Sequence, residues 1–162
     1  MKSTEVVEFC RRLRALGIEI WLDGGWGVDA LLGEQTRPHE DLDIVVEQRH
    51  LEEVVALLRA DGFDDVPRPD TRPCNFVLGH TDGRLVDFHV VTFDAAGNGV
   101  FEPPHAYPAS AFTGGGTIDG LAVNCLAATY QIARSGYTWC ASDFADVRAL
   151  CTRFNLPFPK PS

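Results

Sequence analysis

The sequence predicts an α+β chain, a small mixed β-sheet flanked by helices and followed by a helical piece at its C-terminal end. Three observations predict it. Along the first half, stretches with apolar residues at helical spacing alternate with short apolar runs of strand length. Between residues 75 and 91, two strand-like runs bracket Gly79-His80-Thr81-Asp82-Gly83, a hairpin signal that makes at least one pair antiparallel. Beyond residue 124 the pattern is helical only. Strands of mixed direction with helices gathered at one end belong to the α+β class. At 162 residues the chain reads as one domain, with a core over 1–95 and loops and C-terminal helices over 96–162. That length buries a substantial core without disulfides or structural metal.

Taken in order, Ser3 can cap a helix over residues 3–16 that turns Val6, Phe9, Cys10, Leu13 and Leu16 to one face and stops at Gly17. Residues 18–22 make the first strand, and after a glycine turn a short helix spans 26–32, ended by Gly33. The loop 34–40 carries Arg37 and His39, and 42–46 is apolar enough for an internal strand. Leu51, Val54, Val55 and Leu58 mark a helix over 49–61. Residues 63–66 read as a short edge strand before the proline-rich 67–73, and the hairpin 75–78/84–91 follows. Residues 92–116, rich in Gly, Pro and aromatics, read as loops with one or two short strands, and 117–123 as a tight Asp-Gly hairpin. Two helices close the chain, 125–135 capped by Asn124 and ended by Gly136, and 143–154 capped by Ser142.

Composition narrows the function. A hydrophobic content of 45% with 23% charged residues is ordinary for a globular protein. No window is apolar enough to span a membrane, and the amino terminus does not read as a signal peptide, so a cytoplasmic location is expected. Five irregularly spaced cysteines form neither a metal pair nor a disulfide framework; buried, reduced thiols fit them better. The net charge of −9 argues against a nucleic acid partner, which needs clustered Lys and Arg. Acidity is concentrated before residue 80, with 16 acidic against 9 basic residues, compared with 7 against 5 afterwards, which suits a small cationic acceptor or serves solubility alone.

The chemistry gathers around residues 21–46. Gly24-Gly25 after an apolar strand let the backbone turn and expose consecutive N–H groups at a helix start, a place to hold phosphate. Asp41 and Asp43, two apart on a strand, leave one face while Leu42 and Ile44 leave the other. Paired carboxylates repel unless a cation lies between them, and Mg²⁺ with a substrate phosphate completes such an oxygen set. An isolated Asp-x-Asp is more often a solvated pair at the edge of a sheet. Asp87, between Val86 and Phe88, is costly to bury unless a cation or hydrogen bonds hold it, and it joins the first two acids if its strand neighbours theirs. Arg37 and His39 precede the acid pair, where they can neutralise a triphosphate or remain solvated loop residues. His89, on the same strand face as Asp87, can line an acceptor pocket or be structural. Tyr107, Tyr137 and Trp139 can stack on a flat ring or simply pack. A rival exists: Gly25-x-Gly27-x-x-Ala30 with Glu47 beyond it also satisfies a dinucleotide-binding fingerprint and would imply an NAD(P)-dependent oxidoreductase. That fold needs a full crossover helix, whereas Gly33 and Pro38 interrupt this one, and Asp41-x-Asp43 would be left without a purpose.

Gly24-Gly25 followed by Asp41-x-Asp43 resembles the signature of the nucleotidyltransferase superfamily, whose fold is shared with DNA polymerase β. Within it, Trp21-Leu22-Asp23-Gly24-Gly25-Trp26-Gly27-Val28-Asp29 and Arg37-x-His39-x-Asp41-x-Asp43 resemble the small lincosamide nucleotidyltransferases and, less closely, the aminoglycoside 2″-nucleotidyltransferases. The similarity extends to Asp87-x-His89 and weakly to Ser135-Gly136-Tyr137 and Asp143-x-x-Asp146, leaving residues 98–116 unaccounted for. It implies a nucleotidyltransferase fold and a Mg²⁺-dependent transfer of AMP from ATP, or from another NTP, to a hydroxyl of a small acceptor. Asp41, Asp43 and Asp87 would then hold metal, with Asp87 activating the hydroxyl. Gly24, Gly25, Trp26, Arg37 and His39 would hold the nucleotide; His89, Tyr137 and Trp139 would line the acceptor site. Family members often carry Ser by the glycine pair, where this chain has Trp26, so a backbone N–H must replace the hydroxyl. The resemblance favours a lincosamide acceptor over an aminoglycoside, leaves open a non-catalytic or antitoxin-like module of the same fold, and admits a homodimer.

Overall fold

A computed structural model describes residues 1–134 and 141–159. In chain order the elements are α1 (Ser3–Ala15), β1 (Ile20–Leu22), α2 (Gly24–Leu32), β2 (Asp41–Glu47), a 3₁₀ turn (Gln48–His50), α3 (Leu51–Ala60), β3 (Asp64–Val66), β4 (Asn75–Gly79) and β5 (Leu85–Phe93). Then come β6 (Gly99–Val100), β7 (Ala106–Tyr107), a 3₁₀ turn (Ala109–Thr113), β8 (Gly114–Ile118), β9 (Leu121–Cys125), α4 (Ala128–Arg134) and α5 (Ala141–Phe154). The mixed sheet with flanking helices is the predicted α+β architecture.

The main sheet runs β3-β4-β5-β2-β1-β9-β8, with β6 and β7 continuing from the far end of β5. β2 is internal, as its apolar sequence requires. It pairs antiparallel with β1 and parallel with β5, while the predicted hairpin joins β4 and β5 antiparallel. Because β1 and β2 are antiparallel, the unit β1–α2–β2 is not the parallel βαβ crossover a dinucleotide fold is built on. The fingerprint over Gly25–Ala30 therefore has no structural counterpart.

Strand alternation divides β2 between two environments. Leu42, Ile44 and Val46 are fully buried in the main core with Phe88 of β5, Leu13 of α1, Trp26 of α2 and Val54 and Leu58 of α3. On the opposite face Asp41 and Asp43 are half-buried, and Val45 is sealed in a second cluster with Val91, Tyr107, Ala111 and Leu126. Trp21, Phe93, Phe101, Phe112 and Tyr130 pack around that cluster. The carboxylate face of the sheet thus passes directly into an aromatic floor, built in part by 92–116, the stretch read as loops with one or two short strands. Among the described residues no helix is long and apolar enough to cross a membrane.

Several boundaries shift for identifiable reasons. α1 is closed at its start by Glu5, whose carboxylate accepts from the Lys2 N–H at 2.7 Å, so Ser3 is inside the helix and not its cap. α2 begins two residues before the expected Trp26 because Asp23 caps it, its side chain accepting from Gly24 N–H at 2.8 Å. Asn124 caps nothing; it lies in β9, paired with Gly115 across a hairpin whose turn residues Asp119 and Gly120 both have positive φ. Ser142 is within α5, which starts at Ala141.

Candidate active site

The start of α2 is pressed against the loop and strand that follow it. Gly24 has φ of 55°, and a Cβ there would collide with Asp43 Oδ2; a Cβ on Gly25 would collide with the imidazole of His39. The glycine pair therefore does more than expose N–H groups. Its missing side chains let a helix N-terminus touch both a β2 carboxylate and the loop histidine. Asp23, almost fully buried, locks this corner from both sides, since its backbone N–H donates to Asp43 O at 3.0 Å while its side chain caps α2.

The parallel register sets Asp43 opposite Asp87 and Asp41 opposite Leu85, so the three acids share one face of two adjacent strands. One ligand atom from each of Asp43, Asp87 and His89 lies within 4.8 Å of the other two, and Asp41 is not in that group. Burial, then repulsion from Asp43, pushes the Asp41 carboxyl above its ordinary range. Burial also raises Asp87, with Asp43 and Asp41 adding to the rise and His89 and Arg68 opposing it. Asp87 Oδ1 is buried with no hydrogen-bond partner among the described residues. Gathered hard oxygens, mutual repulsion and an orphaned carboxylate oxygen together fit a divalent cation. Arg68, whose charge opposes these rises, sits in the loop between β3 and β4, a proline-rich stretch that reads in the sequence only as a connector.

His39 is not a solvated loop residue. It is buried, its ring tilted against Trp26 with centroids 4.8 Å apart, and its Nε2 is bound to the carboxylate of Asp29, itself 2% exposed. The other oxygen of Asp29 accepts from the Thr36 hydroxyl at 2.6 Å and from Thr36 N–H at 3.1 Å. Asp29 therefore fixes the loop to α2, a role that its helical position in the sequence did not disclose. Trp26 is 1% exposed, and its indole Nε1 has no partner among the described residues, so its backbone N–H is what it offers at the helix start.

Arg37 reaches α5, where its Nη2 donates to Asp146 Oδ2 at 2.8 Å and its Nε to Oδ1 at 3.4 Å. The hydrogen bond to Asp146, first, and the surrounding acids hold its guanidinium firmly charged. Asp146, which by its place in a first helical turn needs only a dipole to explain it, is thus the partner of a loop cation. Tyr107 is buried against Phe101, Phe112 and Tyr130 at 5.0–5.9 Å, so it packs and does not present a free ring. Trp21, opposite Val45, anchors the floor beside the acids by donating its indole N–H to Phe112 O at 3.1 Å. Tyr137 and Trp139 lie outside the described residues.

The family model described as Aminoglycoside-2''-adenylyltransferase matches residues 5–150. A lincosamide resistance protein of Staphylococcus haemolyticus is 33% identical over 81 residues, which are 50% of this chain and 49% of that protein. A 2''-aminoglycoside nucleotidyltransferase of Escherichia coli is 38% identical over 64 residues, 36% of each chain. The match thus spans about half or less of the length of these curated relatives. Among solved structures, the lincomycin-bound lincosamide antibiotic adenylyltransferase LnuA superposes with a TM-score of 0.81 at 24% identity, covering 93% of this chain and 96% of that one. ANT(2'')-Ia in complex with adenylyl-2''-tobramycin follows at 0.69 and 21% identity, covering 94% and 88%. At these identities the structural likeness establishes the nucleotidyltransferase-like fold.

Proposed function

Because this chain belongs to the aminoglycoside-2''-adenylyltransferase family, we propose that it is a metal-dependent nucleotidyltransferase that moves AMP from ATP to a hydroxyl of a small antibiotic-like acceptor. The observation that carries the reading is the register of Asp43 with Asp87 beneath a glycine-opened helix start. Acids that face one another under a row of backbone N–H groups suit a reaction in which a triphosphate must be held and its charge neutralised.

Asp41, Asp43 and Asp87 would hold the cation, Mg²⁺ being the simplest choice for an oxygen set. When bound, it supplies neutralisation of the phosphate charge and a lowered pKa for the acceptor hydroxyl. The backbone N–H groups at Gly25 and Trp26 receive phosphate oxygens, helped by the α2 dipole, while that of Gly24 is already taken by the Asp23 side chain. His39, held rigid by Asp29, and Arg37 add positive or donating groups beside them. Asp87, whose raised pKa suits a proton acceptor, takes the acceptor's hydroxyl proton. The acceptor oxygen bonds the α-phosphorus, and the bond from that phosphorus to the bridging oxygen breaks, so that pyrophosphate leaves.

A lincosamide acceptor is supported by the similarity to the lincosamide resistance protein and by the aromatic floor of Trp21, Phe93 and Phe112 beside the acids, which suits an amphipathic molecule. An aminoglycoside acceptor is the second reading, supported by the similarity to a 2''-aminoglycoside nucleotidyltransferase and by the acidity of the chain's first half. A thermal scan tests the reaction class. Stabilisation by ATP only when Mg²⁺ is present supports it, whereas stabilisation by NADH without metal, or by ATP equally with and without Mg²⁺, contradicts it.

A further inference from the structure

We propose that His89 is a further protein ligand of the cation, so that an imidazole joins the carboxylates in the donor set and the site prefers Mn²⁺ or a related first-row ion over Mg²⁺. This deepens the metal-dependent reading and rests on it. Alternation along β5 puts Asp87 and His89 on one face, and the parallel register places them opposite Asp43 and Val45 of β2. The result is a group of two oxygens and one nitrogen, all within 4.8 Å of one another.

The spacing inside the group is that of ligands around a shared ion. His89 Nε2 stands 3.9 Å from Asp43 Oδ1, too far for a hydrogen bond. Around an octahedral ion with bonds of about 2.1 Å, neighbouring donors lie about 3 Å apart and opposite donors about 4.2 Å apart, so the observed separation falls between the two. Both side chains are mostly shielded, His89 at 16% and Asp43 at 21% exposure, and His89 Nε2 itself is buried. Asp41 lies beside this close group, on the same face of β2 as Asp43, and the group itself brings a nitrogen next to two carboxylates.

A nitrogen donor has a chemical consequence. Mg²⁺ is a hard ion bound by oxygen and water, whereas the first-row divalent ions accept imidazole readily and follow a rising affinity order from Mn²⁺. A single imidazole among carboxylates and phosphates keeps the site open to Mg²⁺ while tilting its affinity towards the softer ions.

Pulsed electron paramagnetic resonance on the full chain with Mn²⁺ and a nonhydrolysable ATP analogue tests this without relying on turnover. The wild type should show nitrogen modulation from one directly bound imidazole. Labelling histidine with ¹⁵N should shift that signal, which separates it from adenine nitrogen, and His89→Gln should abolish it. Competition titrations should give Mn²⁺ at least about a tenfold advantage over Mg²⁺, on the scale at which ligand surroundings change metal affinity, and His89→Gln should narrow it. Because the wild-type signal needs no variant, a poorly folded His89→Gln does not blunt the test. Mn²⁺ bound with no histidine nitrogen signal overturns the role of His89 and leaves the metal-dependent reading standing. Failure of either ion to bind, with or without the nucleotide, overturns both.

Discussion

Asp43 of β2 and Asp87 of β5 are direct partners in a parallel strand pair, so two carboxylates that are far apart in the chain stand side by side on one face. Asp87 Oδ1 is buried and unpaired among the described residues, so beyond the opposing influence of His89 and Arg68 an ion or a proton relieves that arrangement.

The acids should therefore separate by role. Asp41→Ala and Asp43→Ala should abolish stabilisation by Mg-ATP. Asp87→Asn keeps the volume of the side chain but cannot take the acceptor's proton, a loss that costs about 10²–10⁴ in rate. Isothermal titration should find nucleotide affinity largely retained in Asp87→Asn, while kcat collapses. Equal loss of nucleotide binding in Asp87→Asn and Asp41→Ala would make Asp87 chiefly a metal ligand.

The same crowding makes a prediction about stability. The Asp41 and Asp87 carboxyls titrate above their ordinary range in the fold, by burial first and by mutual repulsion. A raised acid favours folding below its unfolded pKa of about 3.9, and that support is lost as pH rises through the higher folded value. At neutral pH the metal-free protein carries this as a liability. Asp41→Asn should raise its Tm by a few degrees, since about 1 kcal/mol corresponds to roughly 2–4 °C in a domain of this size. The gain should shrink in mild acid and on adding divalent metal. A lower Tm in Asp41→Asn at neutral pH, without metal, would contradict it.

The glycine pair should tolerate no side chain. In Gly24→Ala, positive φ costs about 1–2 kcal/mol and a clash with Asp43 is added. In Gly25→Ala the new methyl meets His39, which cannot retreat because Asp29 holds its far nitrogen. Both variants should lose several degrees of Tm and bind Mg-ATP poorly. A Gly25→Ala protein with wild-type affinity would show that contact with His39 is dispensable.

Arg37 and Asp146 should have opposite effects on ATP. The pair is partly exposed, at 33% and 13%, so breaking it costs no more than about 1 kcal/mol of stability. Arg37→Ala should weaken ATP binding, whereas Asp146→Ala, which releases the guanidinium, should leave it unchanged or tighter. If calorimetry finds ATP weakened as much by Asp146→Ala, Asp146 positions Arg37 instead of competing with phosphate.

Much of this was readable in the residues. The helix faces (except for Leu16, which lies exposed past the end of α1), the internal β2, the hairpin of β4 and β5 and the two-apart acids follow from local periodicity and turn chemistry. What escaped is what depends on distant partners. That β5 lies beside β2 could be stated only as a condition, because the connection runs through α3, β3 and β4. Asp29 looks like an ordinary helical residue until the loop brings His39 against it ten positions later. β6 and β7, two residues each, are the short strands expected within 92–116, but the gathering of Phe101, Tyr107 and Phe112 into one cluster was not legible. β8 begins with three glycines, which carry no strand preference, so its pairing with Asn124 and Cys125 was hidden.

The central claim, adenylyl transfer to a small hydroxyl, is met most directly by the mass of a product. The protein with ATP and Mg²⁺ should convert a lincosamide such as lincomycin to a species heavier by one adenylate, with pyrophosphate released in equal amount, and Asp87→Asn should form it far more slowly. If only an aminoglycoside gains the adenylate, the reaction stands and the acceptor is corrected. If no lincosamide or aminoglycoside gains a nucleotide from any NTP, while the folded protein binds Mg-ATP, the account is contradicted and the chain is a nucleotide-binding module without transfer.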